Sequence, residues 1–537
     1  MDFKLLSKAK TYPWVMNLNI SFRGYFLWND TLFNQNNVID FLSSYNTIEK
    51  VTSLLNELNG SFSICMEFEQ QILIAVDRQR SLPLFYAIEQ NCLYISHSAS
   101  MIIDQLNVKT INSISVEELK STSLFVTGKD TLIAEISQVC AGHLCVFNKS
   151  NLSSVQKEYF SYQWSDFYQD SKDELKLRFN AAYKKVGENM IKALNGRTAV
   201  IPLSGGYDSR MILQQLVEGG YKKILCYTYG NPNEEECLIS KQVAQKYGVE
   251  WHIIPYTYSL MKSFYHSEEF KDYFSMEGNV VSLPHLQDLV AVLELKKQGV
   301  FPLDSVFIPG HSGDLIAGTG IPKLFMEYDR IFSKKDCVDA ILAKHYPNNK
   351  VSIEVKNKLN ATIVEKKYNA EEGAAIVEKF NYNERQSKFI INSVRVYEFV
   401  GFEWLVPLWY NDIVEFWSHI PTKLRYARGL YHFCVDNKEE ITTVDENCIL
   451  AKIRKVTNKC YPIRILAKML NELTYWFNNY LYLRTIIPFS TYLLLVLKHP
   501  KAYGVSHIWL IQYLVIPNLK AQVSSSKKNN FLKNTKY

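Results

Sequence analysis

Ile201-Pro202-Leu203-Ser204-Gly205-Gly206-Tyr207-Asp208-Ser209-Arg210 packs two serines, two glycines and an aspartate into six positions, directly after an apolar run. Residues 198–203 read as a short strand of a buried parallel sheet, and 209–218 as a helix stopped by Gly219-Gly220. A strand over 224–229, a helix over 235–247 ending at Gly248 and a strand over 250–255 follow, so the loop opens a β-α-β-α-β unit. In an open parallel sheet, ligands gather where the carboxyl ends of strands lead into helices.

Gly205 and Gly206 are expected to adopt backbone angles closed to other residues and to keep Cβ atoms out of a ligand's path. Backbone N–H groups, the positive end of the following helix and the hydroxyls of Ser204 and Ser209 would then converge on one anion, and a polyphosphate fits. Asp208 is out of place beside a bare anion but suits one accompanied by Mg²⁺. The expected ligands are therefore ATP and Mg²⁺. The loop is neither the G-x-x-x-x-G-K-S/T phosphate loop nor the G-x-G-x-x-G dinucleotide turn. An ordinary Gly-Ser turn is the alternative, but S-G-G-x-D-S arises by chance on the order of once in a thousand such chains, which favours the functional reading.

Placed after a strand at the head of a β-α-β unit, S-G-G-x-D-S resembles the pyrophosphatase loop of the asparagine synthetase family, which includes β-lactam synthetases. The resemblance implies an ATP-dependent ligase that activates a carboxylate as an acyl-adenylate, releases pyrophosphate and forms an amide. It implies nucleotide contacts from Leu203, Ser204, Gly205, Gly206, Asp208 and Ser209, with Tyr229 at the end of the next strand. A second match is Val306-Phe307-Ile308-Pro309-Gly310-His311-Ser312-Gly313-Asp314, an apolar strand and glycine-rich acidic loop where the family carries S-G-E-G-x-D-E. By that resemblance Gly310, Ser312 and Gly313 contact the nucleotide, and Asp314 shares Mg²⁺ with Asp208. His311 stands where the family has a glutamate, and an imidazole there can serve as general base toward the attacking amine. The family also brings a lysine to the pyrophosphate from a later loop, for which Lys452 and Lys455, and also Lys459, are the candidates. Arg385-Gln386-Ser387, Arg395 and Val406-Pro407-Leu408-Trp409 resemble the helical part of such domains, although Tyr410 replaces the usual aspartate and the aromatic residues also suit a core.

Upstream, 63–68, 72–76, 93–96 and 143–147 read as strands and 46–58 as a helix. Leu58-Asn59-Gly60-Ser61-Phe62-Ser63, Ala75-Val76-Asp77-Arg78 and Pro83-Leu84-Phe85-Tyr86 resemble segments of class II glutamine amidotransferase domains. That resemblance implies an α+β sandwich of the N-terminal-nucleophile (Ntn) hydrolase type. The nucleophile of that fold is an N-terminal cysteine, whereas this sequence opens Met1-Asp2, so glutamine hydrolysis is not expected and Asn59, Gly60 and Asp77 read as inherited scaffold.

The expected architecture is thus an α/β multidomain chain. It comprises a degenerate amidotransferase-like domain over 1–165, a parallel-sheet PP-loop (adenine nucleotide α-hydrolase-like) ATP pyrophosphatase domain over 173–450, and a helical extension with a basic tail over 451–537. Residues 151–172 read as a connector, 173–194 as a long amphipathic helix, and the chain beyond 333 as mostly helical, including 384–400 and 411–419. At 537 residues, 47% hydrophobic and 21% charged, the chain has the composition of a folded protein. A net charge of +6 argues for no nucleic-acid partner. Ten scattered cysteines without a C-x-x-C pair, and an opening unlike a signal peptide, lead to an expected cytoplasmic location. The apolar stretches 486–497 and 505–517 are shorter than a membrane span. The implied partners are a small-molecule carboxylate and an amine or ammonia donor, with a homodimer left open. Two other classes compete: an adenylating PP-loop enzyme that modifies RNA or thiolates a substrate, and a non-catalytic or differently specialised nucleotide-binding protein, for example in surface-polysaccharide modification.

Overall fold

Two β-sheets face one another in the first part of the chain. The computed structural model describes residues 2–122, 124–277, 280–346, 351–435, 519–521 and 523. One sheet has the order Ser154–Glu158, His143–Asn148, Gln71–Val76, Asn59–Glu67, Ile20–Trp28, Val15–Met16, with Thr31–Phe33 also paired to Ile20–Trp28. The other runs Asp2–Leu6, Cys92–Ser96, Phe85–Glu89, Ser137–Gln138. Side-chain alternation decides what each face covers. Ile72, Ile74 and Val76 meet Tyr86, Leu93 and Ile95 between the sheets. Leu73 and Ala75 point the other way, onto helices Val38–Leu42 and Ile48–Glu57. Phe85 and Ala87 face Ile102 and Leu119 of helices Ala99–Ile103 and Ser113–Thr122. The layers are helix, sheet, sheet, helix.

The stretch expected as a connector contains a strand. Ser154–Glu158 pairs antiparallel with His143–Asn148. Its polar, largely exposed Ser-Val-Gln-Lys-Glu run carries no apolar alternation, because an edge strand is held by its backbone ladder rather than by burial.

The second part begins at α1 (Lys172–Leu194), which Ser171 and Glu174 open with a reciprocal capping box and Asn195 closes at φ 49°. Then follow β1 (Ala199–Pro202), α2 (Tyr207–Glu218), β2 (Ile224–Gly230), α3 (Glu235–Tyr247), β3 (Glu250–Pro255), α4 (Leu289–Lys297) and β4 (Val306–Phe307). After α5 (Lys334–His345) and α6 (Ala370–Asn381) come α7 (Arg395–Val400), β5 (Glu403–Trp404), α8 (Asn411–Ser418) and α9 (Gly429–Val435). The strand order is β3-β2-β1-β4-β5, and every neighbouring pair is parallel. The order reverses direction at β1, so the loops after β1 and β4 flank the crevice of a topological switch point. The single helix expected over 384–400 is instead a wide π-helix over Tyr382–Ile390, a tight 3₁₀ turn over Ile391–Val394 and then α7.

One apolar core runs from the helices under the second sheet into the parallel-sheet domain. Polar contacts cross the same boundary. The Glu398 carboxylate accepts from Arg23 at 2.8 Å and from Arg395, which also donates to the carbonyl of Ser81. Lys388, fully buried, donates to the carbonyls of Val126 and Gly128 and to Glu384. Burial opposes charge on Glu398, but Arg395 and Arg23 outweigh it and hold its carboxyl down at about 2. Among the described residues no helix is long and apolar enough to cross a membrane. Lys452, Lys455, Lys459, the 451–537 extension apart from 519–521 and 523, and the apolar stretches 486–497 and 505–517 lie outside the described residues.

Candidate functional site

The loop that leaves β1 is closed on itself. Ser204 N–H donates to Ser209 Oγ at 3.1 Å, the two hydroxyls lie 3.2 Å apart, and Gly206 N–H donates to Ser204 Oγ at 3.1 Å. Gly206 caps α2 with φ −77° and ψ 163°, a conformation open to any residue, and Gly205 has no positive φ either. The expectation that these glycines supply special backbone angles is corrected. Their value is space: a Cβ on Gly205 would lie 3.0 Å from Cα of Glu236.

The loop after β4 lies directly against the first. A Cβ on Gly310 would come within 2.8 Å of Ser209 N, and one on Gly313 within 2.7 Å of both Asp208 Cγ and Leu408 Cδ1. That proximity lets Asp314 N–H donate to Asp208 Oδ2 at 3.1 Å, while Tyr431 of α9 donates to Asp208 Oδ1. Burial raises the Asp208 carboxyl to about 7; Tyr431's hydrogen bond opposes this and the charge of Asp314 adds to it.

Between the loops opens a cleft of about 320 Å³, lined by Ser204, Gly206, Asp208, Ser209, Tyr229, Gly310, His311 and Asp314 among others. These expected site residues come together. Leu203, Gly205, Ser312 and Gly313 do not line the cleft. Leu203 is in the core at 1% exposure, and Ser312 turns its hydroxyl to Gln386 Oε1 at 2.7 Å.

The cleft also holds residues that the motifs did not point to: Asp288, Ser393, Tyr397 and Arg428. Asp288, at the N-terminus of α4, accepts from Tyr397 at 2.9 Å and Tyr227 at 3.2 Å, and burial raises its carboxyl to about 6. Arg428 sits in a tight turn where Ala427 and Arg428 have φ of 52° and 61°. Its charge helps to hold Asp208 down, and it faces the cleft where the sequence reading looked to Lys452 and Lys455. An Ala-Arg-Gly turn carries no motif that could have singled it out.

His311 is fixed by Ser393. Ser393 Oγ lies 2.7 Å from the carbonyl of Ile390 and 2.6 Å from His311 Nε2, and when it donates to the former it accepts from the latter. With the hydroxyl proton given to Ile390, the ring carries its proton on Nε2 and its lone pair on Nδ1. Burial lowers it to about 4, which keeps the imidazole neutral through the neutral range.

The chemistry of Asp208 and Asp314 fits a divalent cation. Asp208 and Asp314 from adjacent strand ends line the same cleft, and burial, with the charge of Asp314 adding to it, raises the Asp208 carboxyl to about 7, a penalty that a cation would offset. Among the described residues no group of three or more His, Cys, Asp or Glu could hold a metal, so these two carboxylates would not form such a cluster by themselves.

No family model matches the chain, and no curated protein matches it. Solved structures with some similarity include a glutamine phosphoribosylpyrophosphate (PRPP) amidotransferase from B. subtilis complexed with ADP and GMP, 9% identical with a TM-score of 0.17 over 44% of this chain and 71% of that one. Another is the structure of an allosteric regulatory enzyme of purine biosynthesis, 9% identical with a TM-score of 0.18 over 46% of this chain and 62% of that one. Similarity at that level identifies neither a family nor an activity.

Proposed function

We propose that the protein is an ATP-dependent amide-forming ligase of asparagine synthetase type, with a second domain of PP-loop kind and a first domain of Ntn-hydrolase kind. The observation that carries this reading is the pairing of Asp208 and Asp314 from loops on either side of the switch point, with Ser204, Gly206 and Ser209 at the head of α2 beside them. The helix, sheet, sheet, helix layering of the first domain supports its half of the proposal. Asp77 there accepts from the backbone N–H groups of Phe62, Gln79, Ser81 and Leu82, and from the Ser81 hydroxyl, so it serves as an internal scaffold.

In the proposed reaction a carboxylate oxygen of the acid attacks the α-phosphorus of ATP, the bond to the β-phosphate oxygen breaks, and pyrophosphate leaves. An amine nitrogen then attacks the acyl carbon, the bond from that carbon to the phosphate oxygen breaks with its electron pair leaving on AMP, and the amine's proton passes to water. Ser204, Ser209 and the N–H groups opening α2 bind the phosphates, and Arg428 offsets charge on the leaving pyrophosphate. Asp208 and Asp314 would hold Mg²⁺, which supplies charge neutralisation at the phosphates when bound. His311 presents Nδ1 as a neutral acceptor that orients the amine N–H. With the imidazole lowered to about 4 it is a weaker base than the sequence suggested, so its contribution lies in orientation.

The test is carboxylate-dependent exchange of labelled pyrophosphate into ATP, screened over amino acids, dicarboxylates and sugar acids. Exchange with at least one acid is expected. ATP binding without exchange for any acid would replace the ligase with a nucleotide-binding scaffold.

A further inference from the structure

Asp288 and His311 reach the cleft from different parts of the chain, yet one helical stretch holds both. Ser393 Oγ lies 2.6 Å from His311 Nε2, and Tyr397, four residues on, donates to Asp288 Oδ2 at 2.9 Å. Val394 and Arg395 have right-handed helical backbone angles, so the 3₁₀ turn runs directly into α7. Side chains four apart on a helix are neighbours, about 5–6 Å between Cβ atoms. Ser393 and Tyr397 therefore hold His311 and Asp288 side by side, and all four residues line the cleft.

Both neighbours offer acceptors to the cleft. The Asp288 carboxylate has about four lone-pair sites, and Tyr397, Tyr227 and its own backbone N–H use three of them. None of these donors is charged. Burial raises the carboxyl to about 6, so from pH 7 upward it is ionised, and its charge is left for a ligand to answer. Arg428 lines the same cleft, but its charge bears on Asp208. With its Nε2 proton on Ser393, His311 offers the lone pair of Nδ1, and the ring, lowered to about 4, is neutral. Two adjacent acceptors, one of them charged, call for a cation with at least two N–H groups. A primary ammonium group has three, a quaternary ammonium has none, and water or an alcohol brings no charge.

We propose that Asp288 and Nδ1 of His311 form the subsite for the nitrogen donor, an –NH₃⁺ group of free ammonium or of a primary amine, with Asp288 as its specificity-determining residue. Two of the N–H groups bond Asp288 and Nδ1, and the third faces the acyl carbon. That third proton passes to water, the electron pair of its bond stays on nitrogen, and the resulting lone pair attacks. The donor is thus anchored by hydrogens other than the one it gives up. The attack rests on the ligase reading; capture of the cation does not.

The test begins with nitrogen NMR of the full chain labelled in histidine, with His311 assigned through His311→Ala. Methylammonium chloride should move the His311 Nδ1 signal saturably, and tetramethylammonium, equal in charge but without an N–H, should leave it in place. Asp288→Asn keeps an oxygen for the tyrosines but loses the charge, and should weaken methylammonium about tenfold or more. No response to methylammonium, an equal response to both cations, or an undiminished response in Asp288→Asn would overturn the subsite. Kinetics supply a second arm. In Asp288→Asn the KM for ammonium and for methylamine in amide formation should rise about tenfold, while carboxylate-dependent pyrophosphate exchange stays at the wild-type level and reports an intact fold. The donor with the lower KM in wild type identifies the source of the nitrogen. An unchanged KM, or exchange lost together with amide formation, would overturn the assignment, the latter by placing Asp288 at the nucleotide. A saturable, Asp288-dependent methylammonium response in a protein that exchanges with no acid would uphold the cation site and count against the ligase.

Discussion

The backbone N–H of Asp314 donates to Oδ2 of Asp208 at 3.1 Å, joining the loops that follow two adjacent parallel strands. The bond joins the two loops without spending the Asp314 side chain, whose charge adds to the rise of the Asp208 carboxyl.

Stability should therefore depend on pH through Asp208. Its folded value, about 7, lies above the ordinary carboxylate value of about 4, so its contribution is fully present below about 4 and is lost as pH rises through 7. Asp288, raised to about 6, acts with the same sign. His311, lowered to about 4, acts oppositely, its contribution being lost as pH falls from the ordinary imidazole value toward 4. The difference between wild type and Asp208→Asn isolates one group. Without Mg²⁺ and nucleotide, the variant should melt above wild type at pH 8, with the gap closing toward pH 4, and Mg²⁺-ATP should raise the melting temperature of wild type alone. A gap that does not change with pH would show that Asp208 ionises normally.

Tyr431→Phe removes the donor to Asp208 Oδ1. The hydrogen bond lowers the carboxyl, so its loss should raise it further and push the pH midpoint of Mg²⁺-ATP binding upward. Folded-state stability should fall by about 1–2 kcal/mol. Calorimetric titrations of nucleotide across pH 6–9 would read the shift, and an unmoved midpoint would remove Tyr431 from the metal site.

Gly313→Ala tests why the second loop is glycine-rich. The added methyl would sit 2.7 Å from Asp208 Cγ and Leu408 Cδ1. Overpacking of this kind costs about 1–3 kcal/mol, and here the strain falls on the carboxylate itself. ATP affinity should drop more than tenfold while the far-ultraviolet circular dichroism stays native. Undiminished affinity would mean that the loops part freely.

The sequence was readable where local rules and burial agree. α3 and β3 occupy the residues their periodicity predicts, and β1 and β2 lie within a residue of expectation at each end, because short apolar runs closed by Gly248 or Gly219-Gly220 have few other solutions. Asp208, Asp314 and His311 share one cleft because strand order, fixed by the β-α-β hand, delivers both loops to the switch point. Arg428, Ser393 and Asp288, which line the cleft, and Tyr431, which bonds Asp208, were not readable: they come from segments separated in sequence, through a turn and helix packing that no spacing encodes. The edge strand Ser154–Glu158 was missed because its one apolar residue, Val155, is exposed and gives no alternation.

The buried triad of Arg23, Glu398 and Arg395 ties the two domains together. Replacing Glu398 by Gln leaves two desolvated guanidinium groups without their counter-ion, which should cost about 3–5 kcal/mol. Because the core is continuous across the joint, denaturant unfolding should remain one transition in wild type and move to lower denaturant in the variant. Separate transitions for the two domains in wild type would refute the continuity.

Ser393 is the remaining lever on the cleft. Where it donates to Ile390 and accepts from His311 Nε2, the histidine lone pair is held on Nδ1. Ser393→Ala removes the acceptor, so the ring should populate both tautomers, and nitrogen NMR of labelled histidine would report the mixture directly. One lost hydrogen bond of about 1 kcal/mol corresponds to roughly a fivefold fall in the amide-forming step. Pyrophosphate exchange, which precedes attack by the amine, should be unchanged. Ser393→Thr keeps the hydroxyl and should restore the rate. His311→Ala should lower amide formation further than Ser393→Ala and again spare exchange. A His311→Ala protein that loses exchange as strongly as amide formation would place the histidine at the nucleotide, and the role assigned to its Nδ1 would have to be abandoned.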